Sequence, residues 1–301
     1  MLAIFVIVIT LLLSSLVFLI ASIVDSLRGD RPDDGSGTPN GDNQSAVVYE
    51  LATQPASAIH QGVLIVVNGE NEYRFPTTES ALKNIYYNRL KVDDTHNTYM
   101  VKLDTWLLDA TALDALNRMM YDHYKTFEDG SIIVSSAYRN YDDQAKLNST
   151  VSAGYSDHHT GYCVALQANA GREALETNHW IYENCHKYGF IVRYPESKSD
   201  ITGVNGYPHC LRYVGVAHAS YMAANNLCFE EYVQLLQNNY TKDHALAITA
   251  ADGHRYATYY VSAAAGDLTT LEVPQNYAYT LSGDNMAGFI VTVHLDEPKN
   301  A

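Results

Sequence analysis

The chain opens on an apolar run, Leu2-Ala3-Ile4-Phe5 through Ile20-Ala21-Ser22-Ile23-Val24, and no charged residue occurs between Met1 and Val24. At ~1.5 Å rise per residue a helix of this length crosses a hydrocarbon core of ~30 Å. A cleaved secretion signal has a basic start, a shorter apolar stretch and a small-x-small cleavage site, and none of these is clear. Residues 1–24 are therefore expected to be an uncleaved transmembrane anchor. Gly29-Asp30-Arg31-Pro32-Asp33-Asp34-Gly35-Ser36-Gly37 and the polar residues to Asp42 offer nothing apolar to bury, so 25–45 reads as a flexible linker. Arg28 and Arg31 would draw this side inward under the positive-inside rule, and charge alone leaves the orientation open.

Gly62-Val63-Leu64-Ile65-Val66-Val67-Asn68-Gly69 is a short apolar run closed by an Asn-Gly turn signal, which predicts a strand. Leu113, Leu116, Met120, Tyr124 and Phe127 recur at steps of three and four, so a helix with one apolar face is expected there. Asp129-Gly130 ends it, and Ser131-Ile132-Ile133-Val134-Ser135 follows as a strand. A second helix is predicted from about Glu173 to Tyr188, with Gly189 as its cap and Trp180 and Cys185 in the core. Two more are expected at about Val214 to Asn225 and Phe229 to Gln237.

Beyond Asn238 the pattern changes to short alternating runs. Ala245-Leu246-Ala247-Ile248 and Tyr256-Ala257-Thr258-Tyr259-Tyr260-Val261 flank Asp252-Gly253, a hairpin signal. Tyr277 to Leu281 and Gly288 to Val293 are further candidate strands. Residues 241–301 are thus expected to form a small antiparallel β module that carries no chemical motif, and cell-wall attachment, binding of a protein partner and covering the core all stay open as its role.

The 301 residues are 47% hydrophobic, enough for one substantial core. A formal net charge of -15 argues against nucleic acid as a partner. Cys163, Cys185, Cys210 and Cys228 show no C-x-x-C spacing, which excludes a zinc ribbon or a thioredoxin-type motif and permits, without requiring, two disulfides.

Two segments carry the chemical signal: Ser156-Asp157-His158-His159-Thr160-Gly161-Tyr162-Cys163-Val164-Ala165 and Tyr207-Pro208-His209-Cys210-Leu211-Arg212-Tyr213-Val214-Gly215. They resemble the S-E-H-x-T-G-x-x-x-D and E-P-W-H-x-R-Y-V-G motifs of the VanY-type D-alanyl-D-alanine carboxypeptidases, in the superfamily of lysostaphin, the D-Ala-D-Ala metallopeptidases and sonic hedgehog. Gly62 to Asn68, Ser136-Ala137-Tyr138-Arg139-Asn140-Tyr141-Asp142-Asp143-Gln144 and Tyr188-Gly189-Phe190-Ile191-Val192-Arg193-Tyr194-Pro195 resemble other stretches of that family, in order, over roughly Gly62 to Leu236. The resemblance implies an α+β fold with a hedgehog/D-Ala-D-Ala-peptidase-like core, an antiparallel sheet with flanking helices, over 46–240. The small all-β module and the N-terminal membrane helix would be added to it. It also implies a main domain outside the cytoplasm, on a single-pass anchor in the cell membrane.

In that family the His and Asp of the first motif and the last His of the second hold zinc, and the Glu is the general base. His158 keeps the first position, but the Asp position is Ala165, the Glu position is Tyr207 and the last His position is Cys210. Ala165 has no lone pair to donate. A phenol of ordinary pKa, about 10, is protonated at neutral pH and makes a poor base, and loss of a base costs ~10²–10⁴-fold. Cys210 as a thiolate, with Cys163 two residues before Ala165 and on the same strand face, offers a remodelled metal set with His158. His209 is an outside candidate, although using it would turn alternate side chains of the strand to the wrong face. The competing reading makes Cys163 and Cys210 small buried residues, or a disulfide, in the space of the metal, and His158 a hydrogen-bonded core histidine.

The substrate side is better kept. By resemblance, Ser136, Arg139 and Gln144 meet the substrate's peptide and terminal carboxylate, a task suited to a planar guanidinium. A structural salt bridge is the alternative for Arg139, and Arg212 is read as structural. The cofactor expectation is none or zinc. The leading expectation is a degenerate peptidase that binds the peptidoglycan stem peptide or regulates wall processing. An active carboxypeptidase with remodelled ligands and a structural protein acting through its β module are the alternatives.

Overall fold

The structure, a computed structural model, describes residues 46–76, 81–147, 149–168 and 179–299. The expected anchor over 1–24 and the linker lie outside the described residues. Among the described residues no helix is long and apolar enough to cross a membrane.

The elements run β1 (Tyr49–Pro55), β2 (Leu82–Asn84), α1 (Ile85–Asn88), β3 (Met100–Val101), β4 (Leu107–Asp109), α2 (Ala110–Phe127), β5 (Ile132–Ser136) and α3 (Tyr141–Ala145). Then come β6 (Cys163–Ala168), α4 (His179–Asn184), β7 (Phe190–Tyr194), α5 (Ser199–Thr202), β8 (Tyr207–Tyr213), α6 (Val216–Asn225) and α7 (Phe229–Asn239). The strands β9 (Leu246–Thr249), β10 (Arg255–Ser262), β11 (Leu268–Pro274), β12 (Tyr277–Gly283) and β13 (Gly288–Pro298) complete the chain.

The central sheet has the order β3-β5-β6-β8-β7. It is antiparallel except for the edge pair β3/β5, which is parallel. The predicted helix is α2. The Asp109 carboxylate accepts the amides of Thr111 and Ala112 at its N-terminus, and Glu128 ends it in a left-handed conformation. Its buried face, with Leu113, Leu116, Met119 and Met120, packs against Val134, Val164, Leu166 and Leu211 of the sheet. Strand alternation therefore turns Cys163, Ala165, Cys210 and Arg212 to the opposite face. The helix expected from Glu173 is described only from His179. It tightens at Cys185–Tyr188 into a 3-10 turn, and Gly189 takes the expected left-handed cap at φ 84°.

Residues 64–67 are buried, but the run 62–69 is not the expected strand. Its backbone groups pair with side chains and loops instead of a neighbouring strand. Val63 and Ile65 carbonyls accept from Arg212, Val67 carbonyl from Arg193, and Val66 carbonyl from Asn285. The amide of Leu64 donates to Ser282 Oγ and that of Val66 to the Asp284 carbonyl. Four carbonyls and two amides of this segment are thus satisfied without a ladder.

The C-terminal strands form the sheet β12-β13-β10-β9, with β9 and β10 joined at the expected hairpin. Two features were not legible. β11 lies between the expected hairpin and the two further candidate strands, and it pairs with β1 in full register from Tyr49↔Pro274 to Pro55↔Leu268. The module is also not free-standing: Leu246, Ile248, Tyr256, Tyr260 and Ile290 share one buried cluster with Leu64, Val66, Val214, Phe229 and Leu236. Residues 47–301 form one compact unit.

Candidate functional site

The first motif is held from beneath by three buried charges and a fourth, Glu230, that is partly exposed. Asp157 begins the 3-10 turn Asp157–Thr160, which Gly161 closes at φ 78°. Its carboxylate accepts Arg193 Nε at 2.6 Å and Arg212 Nη1 on the other oxygen. Arg193, displaced by the bulge that the ladder shows between Val192 and Tyr194, reaches on to both oxygens of Glu230, at 3.0 and 2.7 Å. Arg212 also donates to Thr160 Oγ1 at 2.7 Å. Both guanidinium groups are fully buried, and Phe229 lies 5.5 Å from each. Burial opposes the charge of Arg193, but Glu230, Tyr194 and Asp157 together hold its pKa well above the usual value. This network ties β7, β8, α7 and the segment 63–67 to the histidine turn. Arg212 is structural, as read from the sequence; the partnership with Asp157, Arg193 and Glu230 was not, because its bonded pairs are 36 to 55 residues apart.

Above this floor, His158 and His159 clasp the loop after β5. His158 Nδ1 donates to the Ala137 carbonyl at 2.7 Å, and the His158 carbonyl accepts the Arg139 amide. His159 Nδ1 donates to the Arg139 carbonyl at 2.7 Å, while its Nε2 accepts the Gly154 amide at 3.0 Å. Burial lowers the His159 pKa, in keeping with a neutral ring that both donates and accepts. The backbone of Arg139 is thereby fixed against the turn that carries His158.

At the centre, one ligand atom each from His158, Cys163 and Cys210 lies within 4.8 Å of the others, and all three residues are buried. Since His158 Nδ1 is engaged by Ala137, the lone pair left to the group is on Nε2. Burial pushes the Cys163 thiol well up, reinforced by Cys210 and opposed by His158. The four cysteines are unbridged, and Cys185 and Cys228 are buried away from this group. Tyr194, Val204 and Tyr207 pack around the two sulfurs. Ser136, Ala165 and Cys210 stand in a row across β5, β6 and β8. His209 does not join them: it lies on the opposite face, where its Nδ1 meets the Tyr182 hydroxyl at 3.1 Å.

The expected substrate residues divide. Arg139 faces the centre. Burial lowers its pKa, and the neighbours that offset this are Cys163, Cys210, Tyr207 and Tyr194. No carboxylate among the described residues pairs with it, and its Nε is buried without a partner. Ser136 is half-buried beside it in the row above, whereas Gln144 is 2% exposed and spends its amide on the Val151 carbonyl at 2.8 Å. A cleft of about 220 Å³ is lined by Asn68, Val151, Ser152, Tyr155, Tyr194 and Val204, the last two of which also pack around the sulfurs.

One imidazole and two sulfurs are a donor set that fits a metal ion. It is not the His-Asp-His set implied by the resemblance. Among the described residues no carboxylate stands with the three to act as a base.

Comparison with known proteins agrees with this geometry. The family model "VanY: D-alanyl-D-alanine carboxypeptidase" matches residues 105–216. A D-alanyl-D-alanine carboxypeptidase of Enterococcus faecium is 29% identical over 270 residues, covering 86% of this chain and 82% of the relative. A second, from Enterococcus faecalis, is 27% identical over 209 residues, 66% of this chain and 75% of its own length. Among solved structures, the vancomycin resistance D,D-dipeptidase VanXYg, in complex with a D-Ala-D-Ala phosphinate analog, has a similar fold. Its TM-score is 0.66 at 24% identity, over 82% of this chain and 99% of that one. Both motifs assemble around one centre and lie within the matched residues, so over 105–216 the chain carries a stretch similar to the VanY D-alanyl-D-alanine carboxypeptidase domain.

Proposed function

We propose that this chain is a membrane-anchored, extracytoplasmic VanY-type domain that binds the peptidoglycan stem peptide ending in D-Ala-D-Ala and has lost its hydrolysis. The observation that carries the reading is the pairing of Ala165 with Cys210, with Tyr207 packed alongside, beside an Arg139 that no carboxylate of the described residues neutralises. The carboxylate ligand and the base are absent from a centre that keeps its cation. A peptide carboxylate entering by the cleft at Tyr194 and Val204 would meet that guanidinium, where two parallel hydrogen bonds are available. The names of the relatives support the substrate class, and the apolar run over 1–24 supports the anchor.

A second reading, an active carboxypeptidase with a remodelled ligand set, is favoured by the grouping of His158, Cys163 and Cys210. A metal held there would supply a bound water as nucleophile. The residues' own part would be to hold it and, through Arg139, to orient the peptide.

Titration of the full chain with a stem pentapeptide, alongside an assay for released D-Ala, separates the two. Binding that is weakened in Arg139→Ala, with no D-Ala released, is the expected result. Stoichiometric zinc with chelator-sensitive turnover would establish the second reading, and binding indifferent to Arg139 would remove the peptide cleft from both.

A further inference from the structure

We infer, resting on the stem-peptide reading, that His159 is the positioning residue of the site: it fastens the main chain of Arg139 to the wall of the neighbouring cleft, so that recognition of a C-terminal carboxylate depends on it.

Arg139 needs such a device because its side chain supplies none. No carboxylate of the described residues pairs with the guanidinium, and its Nε is buried without a partner. Its place is therefore set by its main chain, which has two tethers to the histidine turn. The amide donates to the His158 carbonyl at 3.3 Å, and the carbonyl accepts His159 Nδ1 at 2.7 Å. The shorter tether continues beyond the ring. His159 Nε2 accepts the Gly154 amide at 3.0 Å, and Gly154 belongs to the loop whose Val151, Ser152 and Tyr155 line the cleft. One imidazole thus spans from the substrate-facing arginine to the wall along which a peptide would lie.

The two ends of this bridge demand a histidine. A carbonyl only accepts and a backbone amide only donates, so the bridging side chain must offer one N–H and one lone pair that point apart. A neutral imidazole in its Nδ1–H tautomer does this on a rigid frame. The ring is fully buried and wedged between aromatic neighbours: Tyr73 stacks on it at 6.0 Å, and Phe75 meets it edge-on at 4.9 Å between centroids. A second strap runs beside the first. Gln144, on α3 just after Arg139, donates to the Val151 carbonyl at 2.8 Å, so the same loop is held at two points. A binding group has to be kept within ~0.5 Å of its productive place by the residues that support it. His159 meets that requirement for a guanidinium with no ion-pair partner of its own among the described residues.

The test is calorimetric titration of the full chain with a stem pentapeptide ending in D-Ala-D-Ala, supplied as the free acid and as the C-terminal amide. The wild-type chain is expected to favour the free acid by about 10-fold or more, the worth of a charged hydrogen bond. In His159→Leu, which neither donates nor accepts, the two affinities should converge. His159→Gln, which carries one donor and one acceptor, should restore most of the preference. Placed in an Arg139→Ala background, His159→Leu should cost no further free-acid affinity, because it acts through the arginine. Circular dichroism shows whether each variant is folded. Should His159→Leu not fold, His159→Asn takes its place: it keeps a donor for the Arg139 carbonyl, is too short to reach the Gly154 amide, and should lose the preference in part. A preference kept in full by the folded variant, or equal losses for the two peptides that add to those of Arg139→Ala, would overturn the inference and leave the peptide cleft standing. A wild-type chain that does not distinguish the two peptides would overturn the stem-peptide reading, and the role of His159 with it.

Discussion

Ala165 stands directly opposite Cys210 in the β6/β8 ladder, so a methyl group and a thiol face each other where the family pattern calls for a carboxylate and an imidazole. The second sulfur comes from Cys163, two residues back on β6 and opposite Arg212. One sulfur thus stands at a ligand position of the family pattern and the other two residues from one. Arg139, the cation over it, has kept its place because two consecutive histidines hold its main chain.

Arg139→Lys tests whether the guanidinium acts as a fork or only as a charge. A lysine keeps the charge but cannot pair a carboxylate through two parallel bonds. One charged hydrogen bond is worth ~1.5–3 kcal/mol, so stem-peptide affinity should fall by about 10-fold or more. Calorimetric titration of the two proteins gives the ratio; equal affinities would reduce Arg139 to a point charge.

Asp157→Asn should be among the most destabilising single changes in the chain. It preserves shape but leaves Arg193, fully buried, with Glu230 as its remaining ion-pair partner among the described residues, and takes from the equally buried Arg212 the carboxylate of its ion pair. Breaking a buried pair costs ~3–5 kcal/mol. Urea unfolding should show a midpoint shift of that order, and a shift below about 1 kcal/mol would mean that the network is dispensable.

Acid should weaken the fold before it protonates the carboxylates. His218 lies between the Tyr232 hydroxyl at 2.7 Å and Thr292 Oγ1 at 3.1 Å, and burial, with a smaller push from His294, lowers its pKa to about 3. The unfolded chain takes up this proton near pH 6.5 and the folded chain does not, so the stabilisation is complete above pH 6.5 and is lost as pH falls toward 3. Between pH 6.5 and 5 this amounts to about 2 kcal/mol. His159 and His186, also lowered chiefly by burial, add in the same direction. Denaturation midpoints measured across this range should flatten in His218→Gln; an unchanged slope would assign the effect elsewhere.

A chain ending at residue 240 should not fold cooperatively. It would lose Ser282, Asp284 and Asn285, which satisfy the backbone of the buried segment 64–66, and β11, the partner of β1. Thermal unfolding by circular dichroism decides the matter, because a sharp transition in the shortened chain would make the β module separable after all.

Local signals were legible wherever one residue type in one place has a single use. The period of α2, the Gly189 cap, the Asp252-Gly253 hairpin and the ordered motifs placed the longer helices, β5, the strands β9, β10, β12 and β13 and the three substituted positions, whereas β1 to β4 carried no signal that was read. Strand alternation alone turned His209 away from the centre. The run 62–69 misled because its hydrophobicity reports burial, and a buried backbone can be satisfied by arginine and serine side chains as well as by a strand. β11 was missed because Leu268-Thr269-Thr270-Leu271 alternates weakly, and its pairing with β1 spans more than two hundred residues.

The sequence by itself determined the family frame, the identity of the donors and the loss of the carboxylates, since these are properties of residue type at fixed spacing. Only the tertiary structure decided that His158, Cys163 and Cys210 meet, that Asp157 is spent on two arginines, and that Arg139 faces the sulfurs. Those facts depend on distances between segments far apart in the chain, which register, bulges and packing set together.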